Sequence, residues 1–125
     1  MKETKQMPSI LIIDDVRTEQ EIIKKTLAPL GLTFLVAENA AAGLEIAARE
    51  KPALIVLDVI MPGMGGFKAC RELKKQDATK SFPIIMCTTK DGDSDRFWAE
   101  RQGADAYVPK PFDAEALRAA AKRLL

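Results

Sequence analysis

The sequence predicts a doubly wound α/β domain, with five parallel strands alternating with five helices. Three observations carry that expectation. Short apolar runs rich in β-branched residues, such as Ile10-Leu11-Ile12-Ile13 and Ala53-Leu54-Ile55-Val56-Leu57, have the length and composition of strands buried on both faces of a parallel sheet. Stretches of helical length separate these runs, as right-handed β-α-β crossovers require. Four of the runs also end in polar residues, namely Asp14-Asp15, Asp58, Thr88-Thr89 and Lys110. In open parallel sheets the carboxyl ends of the strands border the binding crevice, so these residues are expected to share one edge.

In chain order, strands are expected over residues 9–13, 32–36, 53–57, 83–87 and 105–108, with helices over 18–30, 39–50, 65–76, 94–102 and 113–125. In the first helix, Thr18-Glu19-Gln20-Glu21 has capping-box spacing, and Ile22, Ile23 and Leu27 form the expected buried stripe. Pro29 should distort or end that helix, with Gly31 supplying the turn. The run at 32–36 ends in no residue of chemical interest and is expected to be an outer strand. Asn39 and Asp113 are expected N-caps, each ahead of an alanine-rich amphipathic run. There is no internal repeat, low-complexity segment or interdomain linker. Residues 1–8 are polar and lack an apolar centre, so a short mobile tail is expected there rather than a secretory signal. A single domain over 9–125, with no output domain, is the expected organisation.

Composition excludes several classes of function. Over 125 residues, 47% hydrophobic and 30% charged content is that of an ordinary globular domain with a sizeable core, not a disordered chain. No apolar run is long enough to cross a bilayer, so membrane insertion is not expected. Nineteen basic and eighteen acidic side chains are interspersed, leaving a net charge of +1 and no footprint for nucleic acid. Cys70 and Cys87 are too few for a disulfide framework or zinc site, and their apolar settings mark them as buried filler in a reducing, cytoplasmic compartment. The absence of histidine removes serine–histidine and cysteine–histidine catalysis, so any phosphohistidine must belong to another molecule.

The polar strand ends form a coherent pocket. Asp14, Asp15 and Asp58 would lie within a few ångströms of one another if the first and third strands are neighbours, and adjacent anions repel. A hard divalent cation relieves this repulsion; magnesium is the natural occupant, with manganese as an alternative. Lys110 adds a positive charge from the other side. Asp58 can then attack a phosphoryl group to form an acyl phosphate, while Lys110 and the Thr88 hydroxyl meet the transferring oxygens.

Taken together, Ile13-Asp14-Asp15, the run from Leu57-Asp58 through Met61-Pro62-Gly63 to Gly66, Thr88-Thr89-Lys90 and Lys110-Pro111-Phe112 resemble the signature blocks of receiver domains of two-component response regulators. The resemblance spans nearly the whole chain from residue 9 onward. It implies a flavodoxin-like three-layer sandwich with strand order 2-1-3-4-5. Asp58 would be the phosphoacceptor, Asp15 a direct magnesium ligand, Asp14 a ligand through water, and the backbone carbonyl of Ile60 a further ligand. Thr88 and Tyr107 match the family's switch pair, and Lys110-Pro111 is expected in the cis form. The implied phosphodonor is a sensor histidine kinase. The implied output is a face made by the fourth helix, fifth strand and fifth helix, which binds a downstream protein target. A monomer that promotes its own phosphorylation and dephosphorylation, rather than a conventional enzyme, is expected.

The segments Thr88-Thr89-Lys90-Asp91 and Phe97-Trp98-Ala99-Glu100-Arg101-Gln102-Gly103-Ala104 resemble, more narrowly, the stand-alone receivers of pilus-chemotaxis (twitching motility) systems. Trp98 is expected near the output face. Ile60 and Lys90, two residues beyond Asp58 and Thr88, are expected to flank the pocket mouth and slow the loss of phosphate. Three alternatives are weaker. A phosphohydrolase of the haloacid-dehalogenase type needs an aspartate where Ile60 stands, a pseudo-receiver would lack pocket residues that are all present, and no glycine-rich nucleotide loop follows any strand. A phosphate sink for a shared kinase remains a second role for the same chemistry.

Overall fold

A computed structural model describes residues 8–89 and 92–125 of the chain. Its strands are β1 (Ser9–Ile13), β2 (Thr33–Ala37), β3 (Leu54–Leu57), β4 (Ile84–Thr88) and β5 (Ala106–Pro109). The helices are α1 (Arg17–Leu27), α2 (Ala40–Glu50), α3 (Gly66–Lys75), α4 (Asp93–Arg101) and α5 (Ala114–Leu124). All pairings are parallel and the strand order is β2-β1-β3-β4-β5. This is the doubly wound order expected above. Each observed element lies within a few residues of its expected bounds.

Alternation along the strands divides the interior into two layers, because successive side chains leave opposite faces of the sheet. Leu11, Ile13, Ile55, Leu57 and Met86 point toward α2, α3 and α4, where they meet Ala47, Cys70, Leu73 and Ala99. Ile10, Ile12, Leu54, Val56 and Ile85 point the other way, onto Ile23 and Leu27 of α1 and Leu117 and Ala121 of α5. The four-residue run of β3 is fully buried, whereas β2 lies at the sheet edge and is mostly half-buried. Cys70 and Cys87 are buried, and burial pushes both thiols up to about 12, so neither is a reactive thiolate near neutrality.

The helix ends follow local chemistry, with one correction. Asn39 Oδ1 accepts the Ala42 N–H at 2.8 Å and Asp113 Oδ1 accepts the Glu115 N–H at 3.1 Å, so both caps form as expected. Past Pro29, a short 3₁₀ turn (Ala28–Leu30) ends on Gly31 at φ 78°, a left-handed conformation that glycine adopts without cost. The Thr18–Glu21 capping box does not form. The helix starts earlier, at Arg17, because the Asp14 carboxylate accepts the Val16 N–H at 2.9 Å and turns the chain at once. The buried stripe shifts with it: Gln20, Ile23 and Leu27 face inward, and Ile22 stands 48% exposed.

Candidate functional site

The sheet places the polar residues by register. Ile13 lies opposite Leu57 in the β1–β3 ladder, so Asp14 and Asp58 leave the same edge on adjacent strands. Backbone bonds from Asp14 N–H to the Ala37 carbonyl and from Asp58 N–H to the Ile13 carbonyl extend the ladder one step beyond the strands. Thr88 pairs with Pro109 at the end of the β4–β5 ladder, and the Lys110 N–H donates to the Thr88 carbonyl at 2.7 Å. The Lys110-Pro111 peptide is cis, as expected. The loop after Asp58 folds back onto the start of α3, where a Cβ on Gly66 would stand 2.1 Å from the Asp58 carbonyl oxygen. Only glycine allows that approach.

One carboxylate oxygen from each of Asp14, Asp15 and Asp58 lies within 4.8 Å of the others. Asp14 and Asp58 are buried, and Asp15 is the most accessible of the three. Lys110, 8% exposed, reaches into the cluster. Its ammonium stands 2.6 Å from Asp14 Oδ2, 3.1 Å from Glu19 Oε1 and 3.6 Å from Asp58 Oδ2. Burial opposes the charge on Lys110, but the hydrogen bond to Asp14, the charges of Asp58 and Asp14 and the adjacent Glu19 carboxylate outweigh it and hold the ammonium above its usual range.

Asp58 is the member of the cluster whose ionised form burial disfavours. Burial raises its carboxyl above the ordinary aspartate value; Lys110, the Thr88 hydroxyl and the Ile60 N–H pull it down, and Asp14 pushes it up. The Ile60 N–H donates to Asp58 Oδ1 at 3.2 Å, which fixes the carboxylate over the pocket. Thr88 is fully buried behind it. An all-oxygen donor set of this kind suits a hard divalent cation, and the clustered negative charge is what such an ion neutralises. The residues present therefore fit magnesium or manganese.

Tyr107 sits on β5 with its hydroxyl shielded from solvent and the Arg96 guanidinium 5.0 Å from the centre of its ring. Arg96 and Glu100 line the cleft between α4 and β5 together with Tyr107. Trp98 falls two residues from each, which is about 200° around a helix, so it lies on the far side of α4 from Tyr107. The expected position of Trp98 beside the α4–β5–α5 face is corrected accordingly. Ile60, in the loop after Asp58, is 52% exposed. Lys90 and Asp91 lie outside the described residues, as do residues 1–7 of the expected tail.

Two residues in contact with the site were absent from the sequence expectations. Gln20 Nε2 donates to the Asp14 carbonyl at 2.6 Å, tying α1 to the end of β1. Glu19 reaches Lys110. In the sequence each stands only as a member of the Thr18–Glu21 capping-box pattern. The available signal was that moving the helix start one residue earlier turns Glu19 toward the strand ends.

Residues 10–122 match the family model of the response regulator receiver domain. The chain is 43% identical over 111 residues to Protein PilH of Pseudomonas aeruginosa, covering 89% of this chain and 92% of that protein. It is 37% identical over 116 residues to response regulator MprA of Mycobacterium ulcerans, of which it spans 49%. Among solved structures, the chemotaxis protein CheY4 of Vibrio cholerae superposes with a TM-score of 0.87 at 28% identity, covering 96% of this chain and all of that one. A putative response regulator from Chloroflexus aurantiacus superposes with a TM-score of 0.89 at 27% identity, covering 95% of this chain and 98% of that one. Sequence, strand order and acidic pocket agree, and the chain belongs to the receiver domains of two-component response regulators.

Proposed function

We propose that the protein is a cytoplasmic, monomeric receiver that takes a phosphoryl group on Asp58 from the phosphohistidine of a sensor kinase. The observation that carries this reading is the convergence on one buried carboxylate, Asp58, of two further carboxylates, the Lys110 ammonium at 3.6 Å and the Thr88 hydroxyl. Asp15, Asp58 and the Ile60 carbonyl would hold magnesium or manganese directly, with Asp14 acting through water. When bound, the ion supplies positive charge against the phosphoryl oxygens. An oxygen of Asp58 forms the new bond to phosphorus as the bond from phosphorus to the donor nitrogen breaks, and the imidazole leaves with that electron pair. Lys110 and Thr88 meet the oxygens of the transferring group, replacing water with fixed donors.

The same residues link phosphorylation to output. Thr88, drawn toward the phosphoryl oxygens, changes the space behind it, and Tyr107 with Arg96 carries the change to the cleft between α4 and β5. A target that binds one arrangement better than the other reads the state. A phosphohydrolase acting on general esters is disfavoured, since Ile60 offers no acid at the position that chemistry needs. The test is mass gain from acetyl phosphate with magnesium. Wild type should gain one phosphoryl group, and Asp58→Asn or added chelator should abolish the gain. Labelling of Asp58→Asn at the wild-type rate would overturn the assignment. Pull-downs with the phosphorylated and unphosphorylated forms separate a target-binding role from a phosphate sink, which would capture no state-dependent target.

A further inference from the structure

We propose that Glu19 is a positioning residue of this site, holding Lys110 on the Asp14 side of the pocket and competing with the phosphoryl group for the ammonium. The proposal rests on the phosphoacceptor reading of Asp58 and adds a residue that lies outside the signature blocks. Lys110 Nζ is 2.6 Å from Asp14 Oδ2 and 3.1 Å from Glu19 Oε1, but 3.6 Å from Asp58 Oδ2. It is therefore hydrogen-bonded to Asp14 and ion-paired with Glu19 and, at longer range, with Asp58.

An ammonium has three donors, so a phosphoryl group bringing further acceptor oxygens must displace an existing contact or share the last donor. Asp14 is poorly placed to yield. It is buried, and its other oxygen is committed to the Val16 N–H at 2.9 Å. Glu19 is well placed to yield, because its side chain is 34% exposed while that of Lys110 is 4% exposed. It enters from the first turn of α1 and lines a cleft of about 120 Å³ with Ile22, Lys110, Pro111 and Phe112. Released from Lys110, the Glu19 carboxylate keeps the favourable helix N-terminus and gains water. Glu19 is thus the exchangeable anion, and its hold on the lysine subtracts from what the lysine offers the incoming group.

Glu19→Gln keeps the size of the side chain and removes its charge. With phosphoramidate as donor and saturating magnesium, Glu19→Gln should label Asp58 about fivefold faster than wild type. The same substitution made in a Lys110→Ala protein, whose slower labelling is followed over hours, should change the rate by less than about twofold, since the coupling needs both partners. Equal rates for wild type and Glu19→Gln, or slower labelling of Glu19→Gln, would overturn the role of Glu19. An equal gain in both backgrounds would also overturn it, showing only that a nearby negative charge repels an anionic donor. Failure of wild type to label at all would overturn the phosphoacceptor reading and this proposal with it.

Discussion

Asp58, the proposed phosphoacceptor, is also a burden on the fold. Burial raises its carboxyl above the ordinary value of 3.8, and Lys110, Thr88 and Ile60 only partly offset the rise. The folded protein thus holds a proton on Asp58 more readily than the unfolded chain does. Its contribution to stability is full below the ordinary value and is lost as the pH rises through the folded one. In chelator, Asp58→Asn should therefore be more stable than wild type at neutral pH, with the gain shrinking toward about pH 4. Urea denaturation at both pH values reads this, and equal stability at neutral pH would show that the neighbouring donors cancel the cost. A different property, the lifetime of the phosphoryl group, is the one Ile60 is expected to affect. Apolar and 52% exposed in the loop after Asp58, it offers no group to orient a hydrolytic water. Ile60→Asn combined with Lys90→Glu should speed phosphate loss about tenfold, equivalent to about 1.4 kcal/mol of barrier. A decay no faster than wild type at saturating magnesium would remove Ile60 from control of that rate.

Capping at the element scale separates real helix starts from apparent ones. Asn39 caps α2 through a 2.8 Å bond, whereas Thr18 lies inside the first turn of α1 and caps nothing. Asn39→Ala should cost about 1 kcal/mol, and Thr18→Ala should stay within about 0.5 kcal/mol of wild type, by thermal or urea unfolding. A reversed order would mean that α1 is nucleated as the sequence suggests and not by Asp14. The two cases also show what was legible locally. Asn39 and Asp113 stand alone ahead of their helices, so the sequence offers one cap each. Ahead of α1 the sequence offers Thr18, but the turn in which the Asp14 carboxylate accepts the Val16 N–H starts the helix before it, and that depends on where β1 releases the chain.

Two apolar layers on opposite faces of the sheet make up the interior of the molecule. Leu57 is fully buried toward α2 and α3, and Leu117 of α5 is fully buried on the other side. Leu57→Ala and Leu117→Ala should each cost about 2–5 kcal/mol. The double variant should lose the sum to within about 0.5 kcal/mol, since the two sites share no neighbours across the sheet. A large departure in denaturant unfolding would show that the layers are coupled through β3. Their position also matters for function: Leu57 directly precedes Asp58, so a cavity there should slow labelling, while Leu117→Ala should leave the rate closer to wild type.

The alternation of apolar runs with helical stretches, the polar strand ends and the edge position of β2 were all determined by the sequence. Each depends on residue type and spacing, and a parallel sheet buried on both faces leaves little latitude in either. The candidate site was legible for the same reason, since Asp14, Asp15, Asp58, Thr88 and Lys110 lie at or within two residues of a strand's end and parallel strands end at one edge. Only the tertiary structure decided which carboxylates Lys110 meets, that Glu19 is one of them, that Ile22 turns outward, and that Trp98 faces away from Tyr107. These are questions of helix rotation. A shift of one residue turns a helical side chain by about 100°, so the start of α1 and the seating of α4 on Ala99 settle what periodicity alone leaves open.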